Sequence, residues 1–206
     1  MRTATYILLK ILATIFFPAV LLMGCNDFGQ VDQGRTIAFD KANKTVTIIR
    51  NKSFDPKNPD YSVLPPVNYR LPDDPAETGP EPKVGRRMNF DIDKKEITLF
   101  DPAANGFVTI HYTLVDQKDN VDSTDPLLCD PVTKKQKPFP LIDEATKTIT
   151  VYSKRQKVLV TFTVPDEYAG YSPDTWDSGD EVRIYYKEAG RAKRFMNVSK
   201  TDIYKK

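Results

Sequence analysis

The chain has 206 residues, with 30 basic and 28 acidic side chains, one histidine and two cysteines. Residues 1–24 carry Arg2 and Lys10 and no acidic residue, so a chain that loses them has 28 basic and 28 acidic side chains and no net charge. Such a chain lacks the basic surface that phosphate backbones select, and its single histidine leaves too few His and Cys ligands for a zinc or haem site, so we expect neither a nucleic-acid partner nor a cofactor.

Residues 1–24 have the organisation of a signal peptide. Arg2 supplies a positive charge near the start, and an apolar stretch follows that is interrupted by Lys10. The uncharged run from Ile11 to Gly24 is fourteen residues long, whereas a membrane-spanning helix needs about 20. Pro18 lies within this run and weakens a helix there. The segment is therefore predicted to be a removable signal rather than a transmembrane span.

The segment ends in Leu-Met-Gly-Cys at residues 22–25, which resembles the lipobox of bacterial lipoproteins. The resemblance implies cleavage between Gly24 and Cys25, with lipid on the Cys25 thiol and an acyl chain on its amine. The chain would then be a lipid-anchored, extracytoplasmic protein of the cell envelope. Asn26 stands where an Asp would signal retention in the inner membrane, which favours the outer membrane. The alternative is a buried N-terminal helix with an incidental cysteine.

Residues 25–34 are poor in apolar side chains and are predicted to be a tether. A repeated pattern then begins: an apolar residue, an Asp, a turn that ends in Lys, and an apolar-Thr-apolar triplet. It occurs as FDKANKTVTI from residue 39, FDIDKKEITL from 90 and IDEATKTITV from 142. The Asp can bond the backbone of its own turn, so each copy predicts a β-hairpin. Asn43 suits a left-handed position in the first turn, but Lys94 and Thr146 are its counterparts, so the turns need not be identical.

Residues 55–83 hold eight of the sixteen prolines. Proline fixes the backbone and removes a hydrogen-bond donor, so this segment is expected to be extended, with little regular structure. It is interpreted as a stiff insertion between strands, the alternative being an edge that binds a partner.

Strong period-two alternation of apolar residues predicts further strands at FVTIHYTL from residue 107, KVLVTFTV from 157 and EVRIYY from 181. No stretch of similar length has helical periodicity, so the fold is predicted to be all-β. Two groupings of the strands compete. The first is two five-stranded barrels that resemble the OB-fold, in which Gly179 and Asp180 precede the fourth strand and Gly85 is the counterpart of Gly179. The alternative is one β-sandwich built from the three hairpin repeats.

The preferred grouping predicts a first β domain over residues 35–118, a linker over 119–137 and a second β domain over 138–206. The linker region contains an acidic cluster whose oxygen atoms could bind Ca²⁺, although its spacing does not fit an EF-hand. The weak calcium candidates are Asp116, Asp119, Asn120, Asp122 and Asp125. A solvated linker explains these residues equally well.

Few residues in the sequence could support catalysis. His111 lies on the more polar face of its predicted strand, and Cys129 follows two leucines that are expected to pack the linker against a domain. A Cys–His enzyme would need these two side chains to meet in space. No metalloprotease, hydrolase or phosphate-loop motif is present, so an enzyme is not expected.

Three aromatic residues, Tyr168, Tyr171 and Trp176, lie close together before the strand at 181 and could stack on a ligand if exposed. The alternative is that Trp176 fills the end of a barrel. Taken together, the sequence resembles small Gram-negative lipoproteins that are known only as domains of unknown function. We expect a non-catalytic binding or scaffolding lipoprotein of the envelope, with an envelope protein as partner. The alternatives are a carrier of a small molecule, glycan or metal ion, and an enzyme using Cys129 and His111.

Overall fold

The computed structural model describes residues 28–53, 55 and 58–201, which form twelve β-strands and three short helices. The strands are β1 Gln30–Asp40, β2 Thr45–Arg50, β3 Val67–Arg70, β4 Arg87–Asp91, β5 Glu96–Asp101, β6 Gly106–His111, β7 Thr113–Lys118, β8 Leu141–Asp143, β9 Thr148–Ser153, β10 Val158–Thr163, β11 Glu181–Glu188 and β12 Arg191–Asn197. The helices are a 3₁₀ helix at Pro75–Glu77, α1 at Asp166–Ala169 and α2 at Pro173–Trp176. In these ranges no helix has the length and apolar character needed to cross a bilayer.

Five strands close into a barrel in the order β1-β11-β12-β3-β2. The pair β12–β3 is parallel and is joined at Arg191 and Arg70, whereas β1–β2, β2–β3 and β11–β12 are antiparallel. Alternate residues of these strands point inward and form an apolar core, as the period of two requires. The most deeply buried members of this core are Val46, Ile48, Tyr69, Val182, Ile184 and Phe195.

The other seven strands form a three-stranded sheet, β4-β5-β6, and a four-stranded sheet, β7-β10-β9-β8. Both sheets contribute to one hydrophobic core, in which Ile97 and Ile110 of the smaller sheet are clustered with Val160 and Phe162 of the larger one. Such packing of two inner faces is typical of β-sandwiches. The prediction of an all-β fold is confirmed.

The grouping of strands differs from the two predicted barrels. The closed barrel takes β1, β2 and β3 from the first predicted domain and β11 and β12 from the second, and the intervening strands form sheets rather than a second barrel. Strand β1 begins at Gln30 and β3 lies inside residues 55–83, so the predicted tether and insertion both contain barrel residues. The alternation of apolar residues predicts where a strand lies but not which strand it pairs with. Strands far apart in the sequence can therefore pair as readily as neighbours.

The three sequence repeats form hairpin turns of one kind. In each, the Asp side chain accepts a hydrogen bond from the backbone N–H three residues later, at 2.9 Å from Asn43, 2.9 Å from Lys94 and 3.2 Å from Thr146. The left-handed residue is the Lys that follows, with φ between 51° and 55° at Lys44, Lys95 and Lys147, and not Asn43 or its counterparts. The repeated Lys therefore marks the position that reverses the chain.

A separate apolar cluster joins the barrel to the smaller sheet. Ile37 and Ile49 of the barrel belong to it together with Met88, Phe100 and Tyr61, the last from the proline-rich segment. Because these side chains come from both sides of the junction, their burial fixes the barrel strands next to β4 and β5. This junction positions the cleft described below.

Candidate binding cleft

A cleft of about 400 Å³ lies at the junction of the barrel and the two sheets. Strand β1, strand β4, the turn between β9 and β10 and the segment before β11 all contribute to its lining. Clefts of this volume are typical of sites for small molecules. Its charged side chains are mainly basic, with Arg35, Arg87, Lys154 and Arg155 against one acidic residue, Glu181.

Arg87 is the most buried charged residue of the cleft. It is 7% exposed, and its guanidinium carbon lies 5.2 Å from the centre of the Phe90 ring. Its backbone N–H donates to the carbonyl of Asp177 at 2.8 Å, which ties β4 to the segment before β11. Within the described part of the chain, the Arg87 Nε atom has no hydrogen-bond partner and no carboxylate forms an ion pair with the group.

A β-bulge explains why an arginine occupies this position. The register of β4 against β5 shifts between Arg87 and Asn89, and both Arg87 and Met88 are buried as a result. Strict alternation would have placed Met88 and Phe90 inside and Arg87 outside. Bulges redirect single side chains in this way and are frequent next to functional sites.

Arg35 extends from β1 towards the same strand. Its Nη1 atom donates to the carbonyl oxygens of Arg87 and Met88, each at 2.9 Å, and its guanidinium lies 4.2 Å above the centre of the Tyr61 ring. The carbonyl contacts and the aromatic face fix the orientation of the group without cancelling its charge. Arg35 therefore holds a second positive charge beside Arg87.

Burial is the largest influence on the charged state of Arg87 and Arg35, and neighbouring charges act on both in opposite directions. Burial, and then repulsion from Arg35, lower the pKa of Arg87 to about 10, and an opposing attraction comes from Asp177. Burial also lowers the pKa of Arg35; Tyr61 and Glu181 raise this pKa, and the positive charge of Arg155 lowers it. The cleft thus concentrates like charge in a poorly solvated place, an arrangement that raises the energy of the charged state.

The two carboxylates that attract these arginines, Asp177 and Glu181, also have partners of their own. Asp177 forms an ion pair with Lys83, and its Oδ1 atom accepts a hydrogen bond from the Gly179 N–H at 3.0 Å. Glu181 accepts a hydrogen bond of 2.6 Å from the Gln33 side chain. Burial raises the pKa of Tyr61, so its hydroxyl keeps its proton at neutral pH and can donate a hydrogen bond.

The aromatic residues predicted as a ligand surface lie elsewhere. Trp176 is fully buried in the core shared by the two sheets, with its ring edge-on to Phe162 at 6.2 Å between centres. Tyr168 packs against the same core, and Tyr171 is 41% exposed with its ring 5.6 Å from that of Tyr168. Trp176 is therefore a packing residue that offers no exposed face for stacking.

Cys129 and His111 have separate surroundings. Cys129 is buried in a cluster with Val121 and Leu128, and its thiol donates to the carbonyl of Ser123 at 3.0 Å. The His111 side chain is largely exposed, and its Nδ1 atom lies 3.7 Å from a carboxylate oxygen of Glu96. Leu128 and Cys129 thus pack against Tyr152 and Leu159, as predicted. Leu127, which was expected to pack with them, is 38% exposed.

The acidic side chains of the 116–125 segment have different partners. Asp122 pairs with Lys157 at 2.6 Å, Asp119 accepts from the Gln117 side chain at 2.9 Å, and Asp125 accepts from the backbone of Leu127 at 2.8 Å. Asp116 lies 4.0 Å from Lys118, and Asn120 has a left-handed backbone. Over the described residues, no group of three or more His, Cys, Asp or Glu side chains is arranged to hold a metal ion.

The basic residues of the cleft were not predicted from the sequence. The one signal available was the pair Arg86-Arg87 directly before an apolar-alternating strand, and alternation alone assigns Arg87 to solvent. The predicted lipidation site at Cys25, with cleavage after Gly24, lies outside the described residues.

Comparison with known proteins gives one match. A family model described as a domain of unknown function, DUF4881, matches residues 27–206. No curated protein and no solved structure matches the chain significantly. Because the match spans the whole sequence after the predicted signal and Cys25–Asn26, the chain belongs to the DUF4881 family.

Proposed function

We propose that the protein is an extracytoplasmic lipoprotein that is held to an envelope membrane by lipid on Cys25 and acts by binding rather than by catalysis. The anchor is supported by the charge, apolar run and Leu-Met-Gly-Cys sequence of residues 1–25. Several acyl chains would hold the protein to a bilayer almost permanently. Asn26 after the cysteine favours the outer membrane.

The cleft is the observation that carries the binding role. It is concave, has the volume of a small-molecule site and collects charged side chains from elements far apart in the sequence. A protein that acted only as a scaffold would gain nothing from an inward-facing Arg87. We therefore place the ligand carrier ahead of the scaffold. An envelope protein remains the proposed partner to which a carrier would deliver its ligand.

We further infer that the barrel is OB-like. It has five strands, and its closure joins β1, β2 and β3 to β11 and β12 while all other strands are inserted between β3 and β11. A five-stranded Greek-key barrel is the arrangement of the OB-fold, which binds ligands on one face and its adjoining loops. The cleft lies beside β1 and the start of β11, where the insertion meets the barrel.

The anchor is tested by expressing the protein with its own signal as wild type, Cys25→Ala and Cys129→Ala. Intact mass and partition into a detergent phase are measured for each. We expect acyl mass and detergent partition for wild type and Cys129→Ala, and neither for Cys25→Ala. An unmodified, water-soluble wild type would refute the anchor, as would a Cys25→Ala variant that still gains acyl mass.

A further inference from the structure

We propose that the cleft is an anion site that takes a small organic molecule bearing an oxyanion, a carboxylate or a phosphate ester, with Arg87 and Arg35 as its main donors. This inference rests on the binding half of the proposed function and adds the chemical class of the ligand. It would replace the metal ion and the neutral glycan among the ligands considered from the sequence.

Arg87 is a buried charged residue. A charged residue as buried as Arg87, which is 7% exposed, normally has a carboxylate partner, because removing an unpaired ion from water is costly. Arg87 has none among the described residues, and its Nε donor is unsatisfied. An oxyanion bound in the cleft beside Arg87 would supply the missing negative charge.

Several positively charged side chains line the cleft around Arg87. They are Arg35, Lys154 and Arg155, with Glu181 as the acidic residue of the cleft. Repulsion between Arg155 and Arg35, and between Arg35 and Arg87, is opposed in part by Glu181 and Asp177. A fold gains nothing from setting guanidinium groups against one another unless another group offsets their repulsion. Arginine is also the side chain best suited to bind carboxylate and phosphate through two parallel hydrogen bonds. The same field would repel Ca²⁺.

Neither nearby carboxylate is free to form an ion pair with Arg87. Asp177 is held by Lys83 and by the Gly179 N–H, and Glu181 is held by Gln33. Rotation of either carboxylate towards Arg87 would break contacts that each already makes. Asp177 attracts Arg87 and Glu181 attracts Arg35, but both carboxylates already have other partners, so an anion from outside would complete the charge balance of the cleft.

The cleft is also large enough for an organic group attached to the anion. The volume of about 400 Å³ exceeds what one phosphate or carboxylate group fills. Pro59, Tyr61, Met88 and Tyr152 line the space beside the arginines and provide apolar surface. The Tyr61 ring is already covered on one face by Arg35, which leaves an ordered wall. An acid with an organic body of a few carbon atoms would use both the charge and this wall.

The test is titration of the full-length, detergent-purified protein with sodium phosphate and with sodium citrate, by calorimetry and by thermal unfolding. We expect saturable binding, with a rise in melting temperature of about 5 °C or more once the anion is in large excess. Arg87→Met and Arg155→Gln should each weaken the affinity about ten-fold or more. Arg191→Met, which removes an exposed ion pair with Glu188 outside the cleft, should change it less than about two-fold.

Arg155 lies on an exposed turn, so Arg155→Gln should not disturb folding. If Arg87→Met fails to fold, the anion affinity of Arg155→Gln tests the proposal. The proposal is overturned if neither anion binds saturably, if all three arginine variants respond alike, or if calcium chloride stabilises the protein where citrate does not. These outcomes leave the anchor untouched, since acylation of Cys25 is measured separately by mass. A protein that binds citrate but carries no acyl chain would refute the anchor and support the anion site.

Discussion

At the scale of single residues, the bulge in β4 has the largest consequence. It turns Arg87 into the interior, where the side chain contacts the Phe90 ring and its Nε atom has no hydrogen-bond partner among the described residues. Natural proteins tolerate such unfavourable placements mainly at functional sites, where a ligand recovers the lost energy. Arg87 should therefore cost stability when the cleft is empty.

We expect Arg87→Met to stabilise the ligand-free protein by roughly 1–2 kcal/mol, because an apolar side chain of similar length removes the desolvation of an unpaired cation. Urea unfolding in a buffer without phosphate or carboxylates measures the effect. Arg191→Met, at an exposed ion pair, is the matched control and should stay within about 0.5 kcal/mol of wild type. A loss of stability in Arg87→Met would mean that its guanidinium is structural.

Two glycines that the sequence set in parallel positions prove to be in contact. A Cβ added to Gly85 would clash with the Gly179 nitrogen and the Asp177 carbonyl, both of them backbone atoms. We expect Gly85→Ala to destabilise the protein by roughly 2 kcal/mol or more, since the two segments would have to separate. Gly170→Ala, where nothing lies within 4 Å of the new Cβ, should be nearly neutral in the same thermal melt. Equal effects in both variants would contradict the close approach.

At the scale of elements, the repeated hairpin turn carries both a charge and a backbone constraint. Hydrogen bonds from backbone N–H groups, of Asn43, Lys94 and Thr146 respectively, lower the pKa values of Asp40, Asp91 and Asp143 below the usual value for Asp. The folded state therefore prefers the ionised form of all three. Their contribution to stability is complete above the unfolded pKa of about 3.9 and is lost as the pH falls through the lower folded values.

We expect the triple variant Asp40→Asn, Asp91→Asn, Asp143→Asn to be less stable than wild type at pH 7. The two should converge as the pH falls from about 4 towards 2, because only wild type loses carboxylate charge at these turns. Urea midpoints at several pH values measure this. Asp93→Asn, an exposed acid in the β4–β5 turn, is the control and should follow the wild-type curve. Parallel curves for wild type and the triple variant would refute the mechanism.

The same elements show which parts of the fold a sequence can predict. The hairpins were predictable because the Asp, the turn and the alternating triplet all lie within about ten residues. The pairing of β1 with β11 was not, because both strands have ordinary alternation and roughly 140 residues separate them. The cleft could not be predicted for the same reason, because its arginines come together only through contacts between strands far apart in the sequence. In addition, a bulge turns Arg87 inward, against the apolar alternation of β4.

At the scale of the whole molecule, the described residues from Val31 onwards form one compact unit. The first three strands complete the barrel only with the last two, and the cluster of Ile37, Ile49, Tyr61, Met88 and Phe100 joins the barrel to the smaller sheet. A barrel missing two strands exposes its core and two unpaired edges. Folding of the barrel should thus require both ends of the chain.

This connectivity makes the division into separate domains over residues 35–118 and 138–206 directly testable. We expect neither piece, expressed alone, to fold, because β1–β3 would lack β11 and β12 and the shared core would be divided between the pieces. The intact chain should unfold in one transition, with the fluorescence of buried Trp176 and the far-ultraviolet circular dichroism changing at the same urea concentration. Either piece giving dispersed amide resonances on its own, or the two probes separating, would restore the two-domain organisation. The arginine cleft would then have to form between independently folded parts, and its charges would be free to move apart when no anion is bound.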